Sequence, residues 1–194
     1  MAPIMTSVIG SMPKPAYLNI PAWIQDGKPV ENFVEKFNLA KKENNKDNEN
    51  EILRATQEII NLQERAGIDV VTDGELRRDN YIYGFCRRLN GFDFEELQKK
   101  VCRNGAWEGT LPRITSEVSL KEEESESLVN EWRWAQNLSR TPVKVTIPGP
   151  LTIMDTTCNG FYKDEEVLGQ ALVKCINTTV KKLAAAGCKQ IQVC

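Results

Sequence analysis

Residues 69–80 read DVVTDGELRRDN. A β-branched run, Val70 and Val71, stops at Asp73-Gly74-Glu75, and Arg77, Arg78 and Asp79 follow at once. Such a cluster has two uses. It is a solvated turn whose charge pairs add little to stability, or it is a set of opposite charges at a strand's end that binds a small polar ligand. Two further turns have similar content. Gly10-Ser11-Met12-Pro13 closes TSVIGS, and Pro148-Gly149-Pro150-Leu151-Thr152 closes PVKVTI, with Asp155 close behind. In parallel β/α folds the ligand sits outside the carboxyl ends of the strands. Singly, each turn is as readily a chain reversal. Together they make Ser11 and Glu75 the candidate ligand contacts.

Other chemistries are excluded. The chain has no histidine, so it cannot build Ser-His-Asp or Cys-His nucleophile systems, or a His-containing zinc site, from its own residues. It has six cysteines and no C-x-x-C pair, which fits reduced, small packing thiols better than a disulfide framework. Neither G-x-G-x-x-G nor G-x-x-x-x-G-K-[ST] occurs, so nucleotide phosphate binding has no support. A net charge of −2 leaves no basic footprint for nucleic acid or an anionic membrane. The start, MAPIMTSVIGSMPKP, lacks the pattern of a signal peptide, and no apolar run approaches the ~20 residues that span a bilayer. A cytoplasmic location is expected.

The elements that must position the turns repeat one grammar. NENEILRATQEIINLQERAG carries Ile52, Ala55, Ile59, Leu62 and Ala66 at helical spacing, closes at Gly67 and runs into the strand IDVVT. VLGQALVKCINTTVKKLAAAG closes at Gly187 and runs into KQIQV. EWRWAQNL runs into PVKVTI. On this helix Trp132 and Trp134 are two apart, so one is core and the other half-exposed. TSVIGS and RITSEVS are two further strand candidates, giving five parallel strands in an α/β fold. KKENNKDNEN reads as a solvated loop or helix lead-in, and KEEESES as the exposed start of a helix. The excursion from Asn90 to Pro112, with Phe92, Phe94 and Trp107, is too long for a simple connection and suits a cover for the active face. Five strands in 194 residues fit either the first part of an eightfold barrel, which takes ~250 residues, or an open five-stranded sheet.

The ordered blocks VIGSMPKP, QERAGIDVVTDGELRRDNYIYGF, PVKVTIPGPLTI and LAAAGCKQIQV resemble the catalytic domain of cobalamin-independent methionine synthases and their short, single-barrel relatives, from about Thr6 to Val193. The resemblance implies a (β/α)8 barrel of TIM type, of which residues 1–194 would be the amino-terminal portion, about five of eight units. It implies methyl transfer to the thiol of homocysteine, with methyltetrahydrofolate or a corrinoid, the latter carried by a corrinoid protein, as donor. It implies a zinc ion whose His, Cys, Glu and Cys ligands lie on later strands, outside this sequence. Ile9, Gly10 and Ser11 match the segment that holds the homocysteine backbone and carboxylate, and Glu75 matches the acceptor of its ammonium.

The chain departs from the family at two places. Cys194 stands where an Asp contacts the amino acid, and Thr156 stands where large members carry a Trp against the folate pterin. A truncated product is therefore expected, with doubtful activity alone. The resemblance leaves two alternatives: a superfamily transferase or lyase acting on another thiol, and a non-catalytic fragment that pairs through its open edge.

Overall fold

A computed structural model describes residues 4–18, 20–21, 23–25, 28–29, 32–43, 46–102 and 105–194. After a small antiparallel pair, β1 (Ile24–Gln25) and β2 (Lys28–Pro29), come two helices, α1 (Phe33–Glu43) and α2 (Lys46–Arg65). Neither β1, β2 nor α1 is announced by the sequence pattern. The Asn-rich stretch supplies the end of α1 and the first turn of α2, so the lead-in expectation holds; Asn44 and Asn45 lie outside the described residues. Then follow β3 (Val71–Thr72), α3 (Tyr81–Cys86), β4 (Leu89–Cys102), β5 (Trp107–Leu120), α4 (Ser127–Leu138), β6 (Val143–Ile147), α5 (Pro150–Asp155), β7 (Cys158–Asn159), α6 (Glu165–Ala185) and β8 (Ile191–Val193).

The central sheet is parallel, in the order β3-β6-β8. A single parallel bridge, Ser7 to Val70, attaches the first segment to its β3 side. TSVIGS is therefore held as one bridge rather than a full strand. β6 is buried at all five positions, as a central parallel strand covered on both faces should be. Val143, Val145 and Ile147 join Trp132, Leu168, Leu172 and Leu183 in the main core. Lys144 and Thr146 alternate to the opposite face. Gly67 and Gly187 both sit at positive φ (75° and 101°) past α2 and α6, where a left-handed residue closes a helix. Trp132 is buried and Trp134 is exposed, as their spacing requires.

The expected count of five barrel strands is corrected to four parallel segments. RITSEVS lies in β5, which pairs antiparallel with β4 across 14-residue strands and forms a separate sheet with β7. Its alternating pattern marks a strand but carries no information about its partner. The sheet does not close on itself among the described residues, so the architecture is α/β with mixed sheets and a partial barrel.

The β4–β5 hairpin is anchored near the site. Lys100 donates to the carbonyls of Met154, Asp155 and Thr157 at 2.8–3.1 Å, meeting the orphan carbonyls at the end of α5. Arg87 lies 3.8 Å from the Phe37 ring centroid and 4.1 Å from that of Phe94, clamping the hairpin base to α1.

Candidate functional site

The turn after β3 is built by short side chains. Thr72 Oγ1 accepts from the Gly74 amide at 3.2 Å, and Asp73 Oδ1 accepts from the Glu75 amide at 2.9 Å. These local bonds support a tight reversal in which Gly74 (φ 70°) and Glu75 (φ 57°) are both left-handed. A non-glycine residue in that region carries strain of about 1 kcal/mol or more. Buried Gln63 on α2 holds the turn's base, accepting from the Thr72 amide and donating to the Thr72 carbonyl, both at 2.9 Å. The Met12 amide donates to the Gly74 carbonyl at 3.0 Å, so the Ser11 loop is tied directly to the Glu75 turn.

The charges are not a solvated cluster. Glu75 is 7% exposed, Arg78 6% and Asp79 7%. Thr146 Oγ1 donates to Glu75 Oε1 at 2.9 Å and accepts from Arg78 Nη1 at 3.0 Å. Arg78 Nη1 also donates to the Thr146 carbonyl and stands 4.0 Å from Glu75 Oε1. Asp79 is paired with Arg87 at 2.9 Å, and Arg77 with Glu49 at 2.9 Å while covering the Trp134 ring. Arg77, Arg78 and Asp79 thus each have a partner in the protein, although Arg77 Nη2 is buried without one. Among the described residues no donor reaches Glu75 Oε2. A buried carboxylate so lightly held is costly unless a cation joins it.

Ser11, Lys14, Glu75, Arg78, Asp79, Asn80 and Tyr81 line one cavity of about 230 Å³. Ser11 and Glu75 therefore meet on a common wall. Gly10 (φ 88°) is exposed, and Ile9 is 79% exposed; both precede the wall rather than form it. Gly149 stands at the end of the neighbouring strand, where an added Cβ would lie 2.9 Å from the Cys194 carbonyl, so only glycine fits. That carbonyl also accepts from Thr152 Oγ1 at 3.0 Å. A larger hollow, about 550 Å³, lies between β5 and α6, but its charged lining groups, Glu117 and Lys174, are exposed. The smaller cavity is the one lined by buried charges, Glu75, Arg78 and Asp79.

Sequence pattern alone singled out neither Thr146, hidden in an apolar strand, nor Lys14 and buried Lys144. Lys144 Nζ donates to the Val8 carbonyl at 2.7 Å and pins the first segment to β6. Burial pushes its ammonium pKa down, partly opposed by Cys194. The alternation of β6 was the available signal, since two polar residues two apart on a buried strand share a face. Among the described residues no group of three or more His, Cys, Asp or Glu side chains is placed to hold a metal ion. The described residues do not fit a zinc site. Among the described residues no helix is long and apolar enough to cross a membrane.

Comparison with known proteins is consistent across sequence and fold. The family model for the cobalamin-independent synthase catalytic domain matches residues 4–194. The chain is 35% identical over 189 residues to a methionine synthase of Sulfurisphaera tokodaii, covering 97% of this chain and 50% of that protein. It is 33% identical over 189 residues to the methionine synthase of Saccharolobus solfataricus, covering 97% and 51%. A B12-independent methionine synthase from Shewanella sp. W3-18-1, solved in complex with selenomethionine, superposes with a TM-score of 0.75 at 28% identity over 97% of this chain and 50% of that one. The chain spans about half the length of the curated relatives it matches.

Proposed function

We propose that this chain, which belongs to the cobalamin-independent synthase catalytic-domain family, binds the amino-acid end of homocysteine for methyl transfer in methionine biosynthesis. One observation carries this: Glu75, buried and in a left-handed backbone, turns a carboxylate with one unclaimed oxygen onto the cavity that Ser11 also lines. An ammonium entering there forms a charge-assisted hydrogen bond shielded from water. Ser11, with the backbone of Ile9 and Gly10 leading to it, faces the remaining polar atoms of the amino acid. In this role the chain's residues orient the substrate; the thiol loses its proton, the sulfur–methyl bond forms as the methyl–nitrogen bond of methyltetrahydrofolate breaks, and the departing nitrogen keeps that electron pair and takes up a proton. The Shewanella relative was solved with selenomethionine, which carries the same amino-acid end as homocysteine.

Methyltetrahydrofolate is the donor we favour, because the matched family and the Shewanella relative are named as independent of cobalamin. Zinc activation of the thiol would depend on residues beyond the described set. We read residues 1–194 as the amino-terminal portion of one barrel. β8 pairs only with β6 among the described residues, leaving an edge for further strands. That edge also keeps the pairing-fragment alternative in view.

Calorimetric titration of the chain with L-homocysteine under reducing conditions tests the assignment. Glu75→Gln should weaken binding at least tenfold, the scale of one charge-assisted hydrogen bond. Unchanged affinity would remove the amino-acid pocket and favour another thiol substrate.

A further inference from the structure

Resting on the amino-acid assignment of the cavity, we infer that Lys14 is a further, charged partner of the ligand's carboxylate beside Ser11, and that its charge makes the site select an α-amino acid zwitterion over an amine. Lys14 lines the same cavity as Glu75 and Ser11. Its position is set by the chain. Pro13 and Pro15 flank it and restrict the backbone on both sides, and the Met12–Gly74 bond fastens this loop to the Glu75 turn.

The other charges on the wall are already engaged. Arg78 is held by Thr146, and Asp79 by Arg87. Lys14 is half-buried, and among the described residues no acceptor lies within hydrogen-bonding distance of its ammonium. Burial pushes its pKa down, opposed by the negative charges of Asp79 and Glu75 and reinforced by Arg78. An anionic ligand group beside it would offset that desolvation. Glu75 and Lys14 therefore present one unclaimed acceptor and one unclaimed cation to a single small space, the complement of an ammonium and a carboxylate on one carbon. At about 230 Å³ the space lies below the roughly 300–1,000 Å³ of drug-sized pockets and matches a small amino acid.

Three probes separate the two charges: L-methionine, 3-(methylthio)propylamine, which lacks the carboxylate, and 3-(methylthio)propanoate, which lacks the ammonium. Calorimetry on the full chain should show L-methionine binding at least tenfold tighter than the amine. Lys14→Met should weaken L-methionine at least tenfold and leave the amine unchanged, which also reports that the cavity is intact. Lys14→Arg should recover most of the L-methionine affinity. If Lys14→Met binds L-methionine like the unaltered chain while Glu75→Gln does not, Lys14 has no such role and the amino-acid assignment stands. If Glu75→Gln also binds normally, or the unaltered chain prefers the amine, both assignments fall.

Discussion

Thr146 Oγ1 stands between Glu75 Oε1 and Arg78 Nη1, at 2.9 and 3.0 Å, while carboxylate and guanidinium remain 4.0 Å apart. One hydroxyl thus keeps two buried opposite charges from collapsing into a direct pair and leaves the carboxylate available to a ligand cation. Thr146→Val preserves shape but strands Glu75 Oε1 and removes one acceptor from Arg78. We expect a loss of about 1–3 kcal/mol in urea denaturation, with Thr146→Ser recovering most of it.

The left-handed backbone at Glu75 predicts opposing effects on stability and binding. Glu75→Gly relieves the steric strain at φ 57° and removes a buried charge, at the expense of chain entropy and the Thr146 bond. Stability should stay within about 1 kcal/mol of the unaltered chain, while amino-acid binding is lost. A large destabilisation with binding retained would show that the side chain is structural.

Asp69 fastens the first segment, accepting from Thr6 N and Thr6 Oγ1, both at 2.7 Å. The backbone amide of Thr6, then its hydroxyl, hold the Asp69 carboxyl below its usual value. Because the folded pKa is depressed, the unfolded chain binds more protons in that window, and stability rises with pH. The contribution is present above the ordinary Asp value of about 4 and is lost as pH falls through the lower folded value. Glu64, held down chiefly by the Arg140 amide, acts in the same direction. Asp69→Asn should lower the urea midpoint at pH 7, where the contribution is fully present, and flatten its dependence on pH below about 4.

Five of the six cysteines are buried, and Cys194 is exposed. Burial raises the thiol pKa at Cys86, Cys158, Cys175 and Cys188. Iodoacetamide at pH 8 should modify Cys194 first, with the others reacting only as the chain unfolds. Peptide mass spectrometry over time distinguishes this from uniform labelling.

How far sequence led can be judged residue by residue. Gly67 and Gly187 marked two helix ends because a left-handed closure demands glycine. Ser11 and Glu75, which line one cavity, drew attention because ligands of parallel β/α folds sit where chain segments leave the sheet at its carboxyl end. The β4–β5 hairpin was hidden: RITSEVS alternates like any strand, and nothing local specifies an antiparallel partner some 20 residues upstream. Thr146 and Lys14 were hidden for another reason. Their importance comes from burial beside charges that are far away in sequence, and burial is a property of the whole packing.

The central claim is that Glu75 receives the ligand's ammonium inside the Ser11-lined cavity. A crystal structure of the chain with L-methionine tests it most directly. The ammonium nitrogen should lie within about 3.2 Å of a Glu75 carboxylate oxygen, with the ligand's carboxylate toward Lys14. Density for the amino acid elsewhere, with water alone beside Glu75, would contradict it.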